Sequence, residues 1–66
     1  MKIGQKIKEL RLERKLSQQK LALAIGVSQK AVDYWERGVN EPKSSYVILL
    51  VKAFEITYDE FFWDVE

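Results

Sequence analysis

The chain has 66 residues, 47% of them hydrophobic, with one proline, three glycines and a net charge of +1; that is the profile of a single folded domain over residues 1–66, not of a disordered segment. It contains neither histidine nor cysteine, so the usual zinc ligands and the base of a Ser-His-Asp or Cys-His constellation are missing, and no metal, cofactor or enzymatic activity is expected. A chain this short and without disulfides must pack economically, which favours regular helices.

Ile3, Ile7 and Leu10 fall on one stripe at about 100° per residue and mark a first helix, whose other faces carry Lys2, Lys6, Lys8, Glu9, Glu13 and Arg14. Ser17 then reads as an N-cap, with Leu16 and Leu21 as a hydrophobic staple, and a second helix runs to Gly26. The same grammar repeats at once. Val27 and Val32 form a staple around the capping Ser28, and Gly38 supplies the left-handed residue that closes a third helix. After a turn at "VNEPK", Ser44 or Ser45 is expected to cap a fourth helix through Phe54; being apolar nearly all round between Tyr46 and Val51, it should be central. Thr57 and Glu60 make a T-x-x-E capping box, with Ile56 and Phe61 as a third staple, and open a short fifth helix. The expectation is an all-α, compact five-helix domain without strands.

Asp59 and Glu60 are adjacent carboxylates, but at a helix start they read as dipole and capping residues, not as an acid/base pair. The apolar run from Tyr46 to Val51 is too short to span a bilayer, and the charged start "MKIGQKIKEL" does not resemble a secretory leader, so a cytoplasmic protein without membrane association is expected. Charge is unevenly distributed. Residues 1–43 hold ten Lys/Arg against five Asp/Glu, +5, and residues 44–66 hold one against five, −4, which together return the +1 of the whole.

Only Gly26, Val27 and the capping serine join the second and third helices, too few for a deep antiparallel hairpin, so the two should cross steeply as a helix-turn-helix. On a helical wheel Ala31, Val32 and Trp35 occupy an arc of roughly 100°, and Gln29, Lys30, Asp33, Tyr34 and Arg37 spread over the opposite side. Those residue types suit a reading face. Gln29 can set a bidentate amide on adenine, Lys30 can reach guanine O6/N7 or a phosphate, and Tyr34 can meet a thymine methyl or a phosphate. Asp33 fits only if it accepts from cytosine N4 or pairs with Lys30 or Arg37, since phosphates repel it.

The stretch "LSQQKLALAIGVSQKAVDYWERG" resembles the Cro/repressor-type, Xre-like helix-turn-helix, with "IKELRLERKLSQ" similar to that family's first helix, Pro42 to its loop proline and "FEITYDEFF" to its last turn and helix. The resemblance spans nearly the whole chain and implies a lambda-repressor-like fold in which the second and third helices form the DNA-binding unit. It places Gln29, Lys30 and Tyr34 at base-contacting positions and Gln18 at that of a glutamine that bonds a phosphate at a helix N-terminus. It also joins Arg11 and Glu36, each at the margin of its apolar stripe, in a salt bridge between the first and third helices. Gln19 and Lys20 depart from the pattern, which commonly has acids there. A lysine in a first helical turn opposes the dipole by about 0.3–1 kcal/mol, so Lys20 is assigned to phosphate, together with Arg37 and Lys43.

Leu12 and Leu23 lie off their stripes, and Phe62 and Trp63 follow the core-facing Phe61. Phe62 and Trp63 are the candidate dimer surface, because the family commonly dimerises around its last helix. The reading reached from the sequence is a transcription regulator, a repressor in form, that binds a palindromic site on double-stranded DNA as a homodimer and takes no small-molecule ligand. An antitoxin or phage-encoded protein-interaction module on the same fold is the alternative.

Overall fold

The computed structural model describes residues 1–66 as five helices and no strand: α1 (Ile3–Glu13), α2 (Gln18–Ile25), α3 (Gln29–Arg37), α4 (Ser44–Phe54) and α5 (Tyr58–Phe62). Three helices begin on the side-chain caps that the sequence predicts. Ser17 Oγ accepts from Lys20 N at 3.0 Å, Ser28 Oγ accepts from Ala31 N at 3.1 Å, and Thr57 Oγ1 accepts from Glu60 N at 3.1 Å while Glu60 Oε1 accepts from Thr57 N. Each satisfies a helix-end N–H that has no partner within the helix. Gly26 and Gly38 end α2 and α3 at φ 76° and 77°, where a β-carbon would be strained.

The start of α4 differs from expectation, because neither Ser44 nor Ser45 is its cap. Ser44 is already the first helical residue: the chain leaves Pro42 through an extended Lys43 (φ −66°, ψ 158°), and the Lys43 carbonyl accepts from Tyr46 N at 2.9 Å and Val47 N at 3.1 Å. Its far end is also unusual, with Glu55 in the left-handed region at φ 58°. Lys15, between α1 and α2, adopts a similar conformation at φ 56°. Arg14 closes that end of α4 from another helix. Its Nε donates to the Phe54 carbonyl at 3.0 Å and its guanidinium lies 5.3 Å from the centre of the Phe54 ring.

The core draws on every helix. Ile7, Leu21, Val32, Leu50, Phe54 and Phe61 are its largest fully buried side chains, and the staple partners Val27 and Ile56 pack against it half-buried. α4 supplies Val47, Leu50, Val51 and Phe54 to this centre, yet Ile48 and Leu49 remain 44% and 38% exposed, so one side of the helix is uncovered. α3 packs against both α1 and α2, and α2 also against α4. The contact of α1 with α3 is close enough to require a glycine, since a β-carbon on the buried Gly4 would collide with the Trp35 carbonyl. No helix is long and apolar enough to cross a membrane.

Candidate nucleic-acid interface

α3 buries Val32 and Trp35 and holds Ala31 half-buried, which leaves Gln29, Lys30 and Arg37 exposed and Tyr34 half-exposed on its other side. The structure therefore gathers on one face the three side chains expected to meet bases and one expected to meet phosphate. Tyr34 organises that face. Lys30 Nζ lies 5.5 Å and Arg37 Cζ 5.3 Å from the centre of its ring, so the two cations are spaced along the helix by the aromatic between them.

The helix is fixed from behind by a bidentate ion pair. Arg11 Nε donates to Glu36 Oε2 at 2.6 Å and Arg11 Nη2 to Glu36 Oε1 at 2.9 Å, with the two side chains 9% and 3% exposed. Arg11 Nη1 also donates to the Leu16 carbonyl at 2.7 Å, tying the same guanidinium to the chain as it enters α2. The hydrogen bond to Glu36 raises the Arg11 pKa above its ordinary value against the opposing effect of burial. Three segments are thus locked by one side chain, which sets the angle at which α3 presents its outer face.

Gln18 joins the same network instead of projecting freely. Its Nε2 donates to Glu36 Oε1 at 3.1 Å and to Asp33 Oδ1 at 3.3 Å, and the other oxygen of Asp33 accepts from Arg37 Nε at 3.0 Å. Of the other residues assigned to phosphate, Lys20 is exposed on the first turn of α2 and Lys43 on the α3–α4 loop, and neither forms an ion pair. Lys43 and Lys30 both line an open cleft of about 630 Å³ between the start of α3 and that loop, whose apolar wall includes Val27, Tyr34, Trp35 and Tyr46. Tyr46 packs on Trp35 with ring centres 5.8 Å apart. Sequence reasoning missed this cleft, because its walls meet only when the fold brings Tyr46, at the start of α4, onto Trp35.

Phe62 and Trp63, the candidate dimer surface, are both exposed, at 42% and 84%. Consecutive helical residues point about 100° apart. Phe62 packs edge-on against Phe61 at 5.0 Å, whereas Trp63, 84% exposed, turns toward α1 and borders a groove with Glu9, Glu13, Arg14 and Ile56. The exposed apolar side chains that accompany Phe62 in the C-terminal third are Ile48, Leu49 and Tyr58.

Comparison with known proteins agrees with this architecture. A helix-turn-helix family model matches residues 7–61. The transcriptional regulator in the ATPase CF(0) region of Rhodospirillum rubrum is 36% identical over 64 residues, covering 97% of this chain and 59% of that protein. Among solved structures, the P22 c2 repressor in complex with a synthetic operator superimposes with a TM-score of 0.84 at 31% identity over 92% of both chains. The restriction-modification controller protein C.AhdI from Aeromonas hydrophila gives 0.85 at 33% identity over 91% of both. The chain spans about half the length of the first curated relatives it matches.

Proposed function

The chain belongs to the Cro/repressor-type helix-turn-helix family, whose members are DNA-binding transcription regulators, and on that premise we propose that it is a cytoplasmic repressor that binds a palindromic operator as a homodimer. The observation that carries the reading is the outward face of α3. Gln29, Lys30, Tyr34 and Arg37 stand together on a helix braced by the buried Arg11–Glu36 pair, a rigid comb of donors of the size that a major groove admits. Gln29 and Lys30 lead with bidentate and cationic contacts to base edges, and Tyr34 offers its ring to a thymine methyl. The cleft between Lys30 and Lys43 receives one strand's backbone, with Lys43 meeting the phosphates.

The exposed apolar residues of the C-terminal third, Ile48, Leu49, Tyr58 and Phe62, support self-association there, and two-fold pairing would set two copies of α3 about one helical turn apart on the duplex. Operator occupancy then acts by obstructing polymerase. The P22 c2 repressor, at 31% identity over nearly the whole chain, is seen in complex with an operator, which supports the same class of partner here.

Selection from randomised duplexes followed by binding across a salt series tests the proposal. A palindromic sequence is expected to be enriched, with affinity falling as salt rises because phosphate contacts release counterions. Absence of any enriched sequence, or affinity indifferent to salt, would overturn it and leave a protein-binding module. Within the enriched site, Gln29→Ala is expected to cost about 1–3 kcal/mol and to relax preference at one base pair, whereas Lys43→Ala should weaken all duplexes alike and reduce the salt slope by about one.

A further inference from the structure

We propose that Asp33 is an affinity-limiting residue, one that holds in the DNA-free protein two groups phosphates would otherwise take, the Gln18 amide and the Arg37 guanidinium. The inference rests on the reading of α3 as the helix that enters the major groove. Asp33 is the one carboxylate α3 carries toward that side, since Glu36 turns inward to Arg11. Oδ1 accepts from Gln18 Nε2 at 3.3 Å and Oδ2 from Arg37 Nε at 3.0 Å, so the side chain links the first turn of α2 to the last turn of α3.

The consequence for Gln18 follows from counting its hydrogens. A primary amide has two N–H donors, and here both are engaged, one by Asp33 and one by Glu36 Oε1 at 3.1 Å. Its remaining Oε1 is an acceptor, as phosphate oxygens are, so Gln18 reaches a phosphate only by leaving a carboxylate. The bond to Asp33 is the longer of the two, and Glu36 is the more deeply buried partner; Asp33 is therefore the one released.

Arg37 is held more loosely. Its pair with Asp33 spans one helical turn with the side chains 59% and 37% exposed, weak enough to exchange for a phosphate, yet while it lasts the positive charge is offset and the carboxylate itself repels the backbone. Gln29 and Lys30 make no bond to Asp33. Asp33 thus weakens the attraction to phosphate that every sequence shares and leaves base contacts alone, which lowers the affinity for specific and non-specific duplexes by similar factors.

The test compares wild-type protein with Asp33→Ala, Arg37→Ala and the double variant, each bound to the duplex enriched by selection and to an unselected duplex of equal length, across a salt series. Alanine is the strongest helix former, and the thermal midpoint checks that each variant is folded. Asp33→Ala is expected to tighten binding to the unselected duplex roughly three- to tenfold and to steepen its salt slope by about one. The enriched duplex should gain by a similar factor, so discrimination is kept, and both gains should shrink in the Arg37→Ala background. Unchanged or weaker binding to the unselected duplex overturns the proposal. So does weaker binding to the enriched duplex with lost preference at a single base pair, the mark of direct readout of cytosine by Asp33. If the wild-type chain enriches no sequence, the reading of α3 fails and takes the proposal with it; clear wild-type discrimination with affinities for both duplexes that Asp33→Ala leaves unaltered overturns the proposal alone.

Discussion

Glu36 accepts from Arg11 twice and from Gln18 once, at 3% exposure, so its removal strands a guanidinium and an amide in a site largely closed to water. Glu36→Ala is expected to cost about 3–5 kcal/mol, seen as a lower midpoint in thermal or urea unfolding; an unchanged midpoint would contradict the bracing role. At the opposite extreme of exposure, Lys6 Nζ donates to Asp64 Oδ1 at 2.9 Å, and this hydrogen bond holds the Asp64 carboxyl below its ordinary pKa. A depressed carboxylate contributes stability above its unfolded pKa and loses it as pH falls through the folded one. Because the group is exposed the contribution is small, and its check is direct: carboxyl NMR should place the Asp64 midpoint below the usual aspartate value, and Lys6→Ala should return it there. The Arg11–Glu36 pair was legible because both residues sit at stripe margins and the family resemblance joins their positions. The bonds of Gln18 were not, since a polar side chain selects its partner from whatever the fold sets within reach, and Asp33 and Glu36 lie one helix away.

The helices themselves were legible almost throughout, because caps and staples act between residues three to five apart. α4 was the exception at its start, while it ends at Phe54 as expected. Proline and an extended Lys43 start it one residue earlier than a serine cap would, and Glu55 ends it in a conformation that suits glycine. Glu55→Gly removes the clash between β-carbon and carbonyl at φ 58°, and is expected to stabilise the protein by about 0.5–1 kcal/mol net of the added chain entropy. For a domain of this size that is a rise of several degrees in the thermal midpoint. Gly4 is the converse case. Its place in α1 meets the Trp35 carbonyl of α3, so Gly4→Ala, ordinarily favourable within a helix, should instead cost about 1–3 kcal/mol of stability from overpacking, seen as a lower thermal midpoint. Periodicity conveys that position 4 lies in a helix, but it carries no information on how near another backbone passes.

On the scale of the whole molecule, the candidate DNA face is built by α2, α3 and the following loop, all within the +5 division of the chain, and Ile48, Leu49, Tyr58, Phe62 and Trp63 are exposed in the −4 division. Ile48→Glu, which places a charge on α4 at a position already 44% exposed, should leave the fold intact and, if the proposed pairing runs through α4, reduce self-association in sedimentation, with binding to a palindrome weakened more than binding to a half-site. Retention of the dimer by this variant would move the interface elsewhere, with the Trp63 groove beside α1 the next surface to test. The sequence by itself determined the class of fold, the boundaries of most helices, the residues of the α3 face and the family, because hydrophobic period, capping and motif spacing are local and travel with the chain. Only the tertiary structure decided that Gln18 donates to the carboxylates of Asp33 and Glu36, that Trp35, Tyr46 and Lys43 line one cleft, and that Trp63 borders a groove with α1. Those depend on how helices distant in sequence are set against one another, and that is settled by packing against a common core.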